Sequence, residues 1–202
     1  MTPKFIVFDG HNDVVLRLLA KGQSFFDRNP DGHIDLPRAK AGGLGGGFFA
    51  VFVPNTRPQD LHPDLAEMVK KSLSVHGDEA DMPPEPERIY SIDTTTEQMA
   101  TLFRIEAESG GQVKIVRTAA ELCNCLDAGI FAILLHMEGA EAIDPQLNAL
   151  EVYYRAGVRS LAGRHHMADA AARRQDARRA VALPLCTKCR ARDLGLPRAG
   201  RA

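Results

Sequence analysis

The sequence predicts a parallel α/β fold. Two observations carry this expectation. Short apolar runs without polar alternation recur along the chain, and segments with helical spacing or helix-capping signatures lie between them. Uninterrupted apolar runs suit strands covered on both faces. An open doubly wound sheet and a (β/α) barrel both fit, and the choice rests on where the chemistry sits.

Phe5–Phe8 reads as the first buried strand, with a helix beginning at Val14–Ala20 and a polar loop around residues 29–33. The glycine cluster of residues 42–47 precedes the apolar run Phe48–Val53, which Pro54 closes. A phosphate cradle would follow a strand and end in Gly-Lys-Ser/Thr, so these glycines read as a turn or a close backbone contact. Leu65, Met68, Val69 and Leu73 share one face of a predicted helix over 65–76, and the acidic, proline-rich stretch 78–86 reads as a loop. Ile89–Ile92 is expected as a short strand. Thr94-Thr-Thr-Glu97 has the capping-box pattern and opens a predicted helix to Glu108, stopped by Gly110-Gly111. Val113–Val116 is the next strand, and Thr118-Ala-Ala-Glu121 caps a short helix carrying Leu122 and Leu126. Ile130–Leu135 is the most strongly apolar strand. Asp144-Pro145 reads as an N-cap and first helical residue, Gly157 as the stop, and Val158–Leu161 as one more strand.

With 202 residues, 45% of them hydrophobic, the chain can bury one substantial core or two small ones. A net charge of −1 gives no reason to expect nucleic acid or an anionic membrane as partner. The N-terminus runs straight into a strand without a signal peptide, and no apolar run is long enough to span a membrane, so a cytoplasmic protein is expected. Composition divides the chain. Residues 1–161 carry 15 Lys/Arg against 23 Asp/Glu, whereas residues 162–202 carry 10 against 3 and no aromatic residue. Such a tail buries too little surface to offset its ordering entropy. The expected organisation is a core-forming domain over 1–161 and a basic, Ala/Arg-rich tail over 162–202, disordered or non-native, with a shifted reading frame as one origin.

Two strand ends carry chemistry. The first apolar run stops in Asp9-Gly-His-Asn-Asp13, where His11 and Asp13 are two residues apart; on extended backbone they project to the same side and can meet one ion. The Ile130–Leu135 strand ends in His136-Met-Glu138-Gly139, again delivering a carboxylate where parallel barrels keep their active sites. A glutamate can bridge two metal ions roughly 3.5–4 Å apart, the spacing of two-metal hydrolases.

Together with the Gly-rich approach to the Phe48 strand and Tyr153-Tyr-Arg-Ala-Gly-Val-Arg-Ser-Leu161, these motifs resemble in order and spacing the membrane (renal) dipeptidase family, particularly its bacterial cytoplasmic members. The resemblance covers about residues 4–161. It implies the N-terminal part of a metallo-dependent-hydrolase (β/α)8 TIM barrel, incomplete in this chain. It also implies two Zn2+ ions, a dipeptide substrate cleaved by a water activated between the ions, and room for a homodimer. By position, His11 and Asp13 resemble ligands of one zinc, and Glu138 the catalytic carboxylate that bridges both. The family's second-zinc histidines and late aspartate find no match, so the chain by itself is expected to be inactive or nearly so. His165, beside His166, lies near where some members carry a substrate-binding histidine.

Two other readings compete. A deaminase or deacetylase could use the same barrel, and Cys186 and Cys189 have zinc-site spacing that Cys123 and Cys125 could complete as a non-catalytic module. His136 reads as an interior histidine, His33, His62 and His76 as solvated, and Glu141 and Asp144 as supporting or capping groups.

Overall fold

The structure, a computed structural model, describes residues 5–54 and 86–162. The predicted helix over 65–76, nearly all of the loop over 78–86, and the tail lie outside these residues, as do His62, His76, His165, His166, Cys186 and Cys189.

Five parallel strands form one sheet: β1 (Val7–Asn12), β2 (Leu44–Phe52), β3 (Val113–Ile115), β4 (Phe131–Glu138) and β5 (Val158–Ala162). Between them run α1 (Val14–Lys21), α2 (Leu36–Gly42), α3 (Arg88–Glu108), α4 (Ala119–Ala128) and α5 (Asn148–Ala156). β4 is central. One of its edges pairs with β2, and the other takes β3 along its first half and β5 along its second. The expectation of a parallel α/β fold holds.

The two faces of β4 explain the layering. Ile133, Leu135 and Met137 join Phe49 and Val51 of β2 and pack against Val15 and Leu18 of α1 and Met99, Leu102 and Ile105 of α3. Burying each such side chain contributes about 1.5–3 kcal/mol. Ala132 and Leu134 point the other way, towards Phe8, Phe48, Val116 and Leu122. His136 and Glu138 continue this second column by strand alternation. The inward glycines of β2 serve close packing, because a Cβ on Gly46 would collide with the carbonyl of Ala132.

Three local expectations are corrected. The first strand begins at Val7 and reaches Asn12; Phe5 precedes it and is 71% exposed, because β1 is a sheet edge with one side uncovered among the described residues. Ile89–Ile92 is the first part of α3, and Thr94-Thr-Thr-Glu97 lies inside that helix. Buried Ser91, Thr95 and Gln98 give α3 a polar inner stripe that hides its helical period; Gln98 uses both ends of its amide on the Phe52 backbone, at 3.0 and 2.6 Å. Asp144 does cap α5, but from a turn further back. Its carboxylate accepts from the amides of Gln146, Asn148 and Ala149, and the left-handed Leu147 (φ 65°) separates it from the helix. The second capping box forms in part: Thr118 Oγ1 accepts from Glu121 N as expected, while the Glu121 carboxylate reaches one residue past the cap and accepts from Arg117 N.

Candidate metal centre

Parallel strands place their C-terminal ends on one side, so residues far apart in sequence share one rim. His11 stands near the end of β1, Asp13 takes the N-cap position of α1 just beyond it without a capping side-chain bond, and Glu138 is the last residue of β4. β2 lies between them and presents Ala50 at the register position of His136, a small side chain over which β1 and β4 groups can meet. His11 Nε2 is 3.1 Å from Glu138 Oε2 and 3.6 Å from Asp13 Oδ1. One donor atom from each residue lies within 4.8 Å of the others, the one such group among the described residues.

The convergence expected from the sequence is present, by a different backbone route. Asp13 is not extended (φ −103°, ψ 31°); the chain turns from strand to helix there and swings the carboxylate back under the imidazole. Asn12 makes that turn rigid. Its Nδ2 donates to Asp9 Oδ2 at 2.8 Å and to the Phe48 carbonyl at 3.1 Å, tying the ligand loop to β2. The sequence reading passed over Asn12, although an amide between two ligand-type residues at a strand end is a recurrent turn-forming signal.

The donor set suits a divalent ion. Imidazole with carboxylate oxygens is a ligand combination zinc accepts, and tetrahedral donors about 2.0–2.1 Å from zinc lie roughly 3.3 Å apart. The two His11 distances bracket that spacing. Asp13 and Glu138 have no Lys or Arg ion-pair partner among the described residues, and the side chain they share there is His11. The side chains are 43%, 58% and 34% exposed for His11, Asp13 and Glu138, open enough for an ion to enter.

His136 sits in the same column as Glu138, buried, with Nδ1 2.9 Å from Ser160 Oγ on β5. Burial pushes its pKa down, and His11 pushes the same way, together outweighing the opposing pull of Glu138 and Asp13. Its reading as an interior histidine stands. Cys123 and Cys125 are buried on α4, and burial raises the Cys125 thiol pKa, which disfavours the thiolate a metal would need. His33 is exposed in its loop, as expected. Glu141 is half-buried in the loop after β4, outside the three-residue cluster.

A parallel α/β sheet whose strand ends gather an imidazole and two carboxylates is an architecture that could hold a metal ion at its rim. The chain belongs to the membrane dipeptidase family, peptidase family M19, whose profile matches residues 1–188. It is 30% identical over 167 residues to an uncharacterized protein in the PQQ-III 3′ region of Acinetobacter calcoaceticus, covering 80% of this chain and 49% of that protein. It is 26% identical over 158 residues to the dipeptidase ataJ of Aspergillus terreus, covering 76% of this chain and 33% of the other. A metallo peptidase from Rhodobacter sphaeroides, liganded with a phosphinate mimic of the dipeptide L-Ala-D-Ala, superposes with a TM-score of 0.67 at 38% identity, over 78% of this chain and 44% of that one. Dipeptidase AC, of family M19, gives the same TM-score and coverage at 36% identity. The chain spans half or less of the length of these relatives, and its sheet is accordingly part of a barrel. The profile match runs beyond Leu161, where the quoted motifs end.

Proposed function

We propose that this chain carries the first half of a zinc dipeptidase site, with His11 and Asp13 as ligands of one ion and Glu138 as the catalytic carboxylate shared with a second. The observation behind the reading is the convergence of His11, Asp13 and Glu138 from three elements onto one point at the C-terminal rim. When bound, zinc would supply a nucleophilic water at neutral pH and an electrophile for the scissile carbonyl. The chain's own residues supply the frame. Asn12 fixes the His11–Asp13 turn, and β4 fixes Glu138. A dipeptide is the proposed substrate, by analogy with relatives named as dipeptidases. A cytoplasmic location and a homodimer belong to the same proposal as expectations from the family.

The described donors make up one three-residue cluster, which suits one ion better than two. The 202-residue chain alone is therefore expected to bind zinc at one site and to turn dipeptides over slowly or not at all. Zinc content after dialysis, with hydrolysis of dipeptides and of acylated or deaminatable amines, tests the reading. About one zinc per chain, lost in His11→Ala, is the expected result. No bound zinc, equal zinc in His11→Ala, or preferential turnover of the amines overturns it. Two zinc ions per chain with rapid dipeptide turnover would overturn the expectation of inactivity.

A further inference from the structure

An imidazole that binds a metal needs its ring plane held, and this is usually done by a hydrogen bond from its second nitrogen. His11 turns Nε2 towards Glu138 and Asp13, and among the described residues no hydrogen-bond acceptor meets its Nδ1. What meets the ring instead is His136. The two imidazoles pack edge to face, centroids 5.5 Å apart and planes at 77°. Phe48 packs on His136 at 6.1 Å and 74°, and Phe8 on Phe48 at 5.9 Å and 73°. Four rings from β1, β2 and β4 thus run in contact across the inner face and end at the metal-ligand histidine.

Packing alone would let the His136 ring turn about its own axis. Ser160 prevents this. It stands at the register position opposite His136 on β5, and its Oγ lies 2.9 Å from His136 Nδ1. On its inner-face column His136 follows Leu134 and packs on Phe48, while Ser160, His11 and the carboxylates of Glu138 and Asp13 give it a polar side. A polar ring there, anchored on one side and packed on His11 on the other, does more than fill the column.

We propose that His136, locked by Ser160, is a positioning residue that sets the ring plane of His11 and thereby the affinity of the metal centre. This inference rests on the metal-centre reading above, and the experiment separates the two. Zinc affinity of the 202-residue chain is measured by competition with a chromophoric chelator, alongside urea denaturation of the metal-free protein. Loss of an orienting partner typically weakens metal binding by about 10–100-fold, so His136→Ala should raise the zinc Kd by roughly tenfold or more. Ser160→Ala, which keeps the ring but frees it, should raise it by less, about threefold, since the His136 ring still packs on His11. His136→Phe retains the edge contact and should recover most of the affinity lost in His136→Ala. A purely structural role would lower stability and leave Kd within twofold. That result in Ser160→Ala and His136→Ala overturns the inference, and if His136→Ala does not fold, Ser160→Ala decides it: a zinc Kd within twofold of wild type overturns the inference. Zinc binding that survives His11→Ala unchanged would instead overturn the metal-centre reading itself.

Discussion

Asp35 and Glu138 are both carboxylates held near the ends of regular elements, yet the molecule treats them in opposite ways. Asp35 is fully buried and saturated with donors. It accepts from Arg38 N at 2.9 Å, Arg38 Nε at 2.7 Å and Asn29 N at 3.2 Å. Arg38 goes on to the Gly32 carbonyl, and Asn29 to the carbonyls of Ser24 and Asp27. The knot closes the loop between α1 and α2 and seats Phe25 against Phe49 and Phe131. Glu138 accepts from no backbone amide among the described residues, is one-third exposed, and faces another ligand-type side chain. A carboxylate whose lone pairs are spent on the protein stabilises a fold; one whose lone pairs converge with others on open space is available to a ligand.

The largest effect that can break this comparison is expected at Asp35. Removing one member of a buried, hydrogen-bonded charge pair typically costs about 3–5 kcal/mol, because the partner is left uncompensated. Asp35→Ala should lose stability of that order in urea denaturation. The pH dependence sharpens the point. Burial raises the Asp35 pKa, but the amides of Arg38 and Asn29 and the Arg38 guanidinium together outweigh it, so the folded-state value lies below the ordinary one. Its contribution is therefore full above the unfolded pKa of about 3.9 and is lost as pH falls through the lower folded value. Denaturation at stepped pH from about 6 to 2.5 should show wild-type stability falling at the acid end, and Asp35→Asn falling less steeply. An Asp35→Ala protein as stable as wild type would remove the contrast.

At Glu138 the expectation reverses. Glu138→Ala should raise the zinc Kd by about 100-fold or more, since loss of a direct ligand is expected to cost at least the upper end of the 10–100-fold effect of outer-shell partners. The metal-free protein should keep its stability within about 0.5 kcal/mol, as at other exposed positions. Removal of one of two neighbouring carboxylates offsets the lost contact with His11. Calorimetric titration of zinc with parallel denaturation checks both halves. A large loss of metal-free stability would make Glu138 a structural group like Asp35.

The same distinction shows which parts of the molecule were legible in the sequence. His11, Asp13 and Glu138 lie within short local motifs at strand ends, where composition alone marks a change of chemistry. β4 and β2 announced themselves as long apolar runs. The bond between His136 and Ser160 depends on the register of β4 against β5, and the Asn12 anchor on the carbonyl of a neighbouring strand; neither relation exists along the chain itself. α3 was half misread for a related reason. Its inner face buries Ser91, Thr95 and Gln98 beside Met99, Leu102 and Ile105, so apolar periodicity fails over its first half although the helix is continuous. Ile89 and Ile92, which read as strand, are merely apolar positions on its first turns.

Asp144 lies between the two extremes and carries the smallest expected effect. It is buried at the site end of the sheet, in the loop that follows Glu138, and like Asp35 it spends its oxygens on amides: Ala149 N at 2.7 Å, Asn148 N at 3.2 Å and Gln146 N at 3.2 Å. The Ala149 amide foremost, against the opposing effect of burial, and then the other amides hold its pKa below the ordinary carboxylate range. Unlike Asp35 it has no cationic partner among the described residues, so its removal leaves unpaired amides but no stranded charge. Loss of such a cap costs about 1 kcal/mol. Asp144→Ala should therefore lose about that much in urea denaturation, with Asp144→Asn in between because it keeps an acceptor oxygen. Zinc affinity should stay within twofold in both, since Asp144 is outside the three-donor cluster. A fall in zinc affinity matching that of Glu138→Ala would move Asp144 from the structural class to the site, and the loop joining β4 to α5 would then belong to the metal centre.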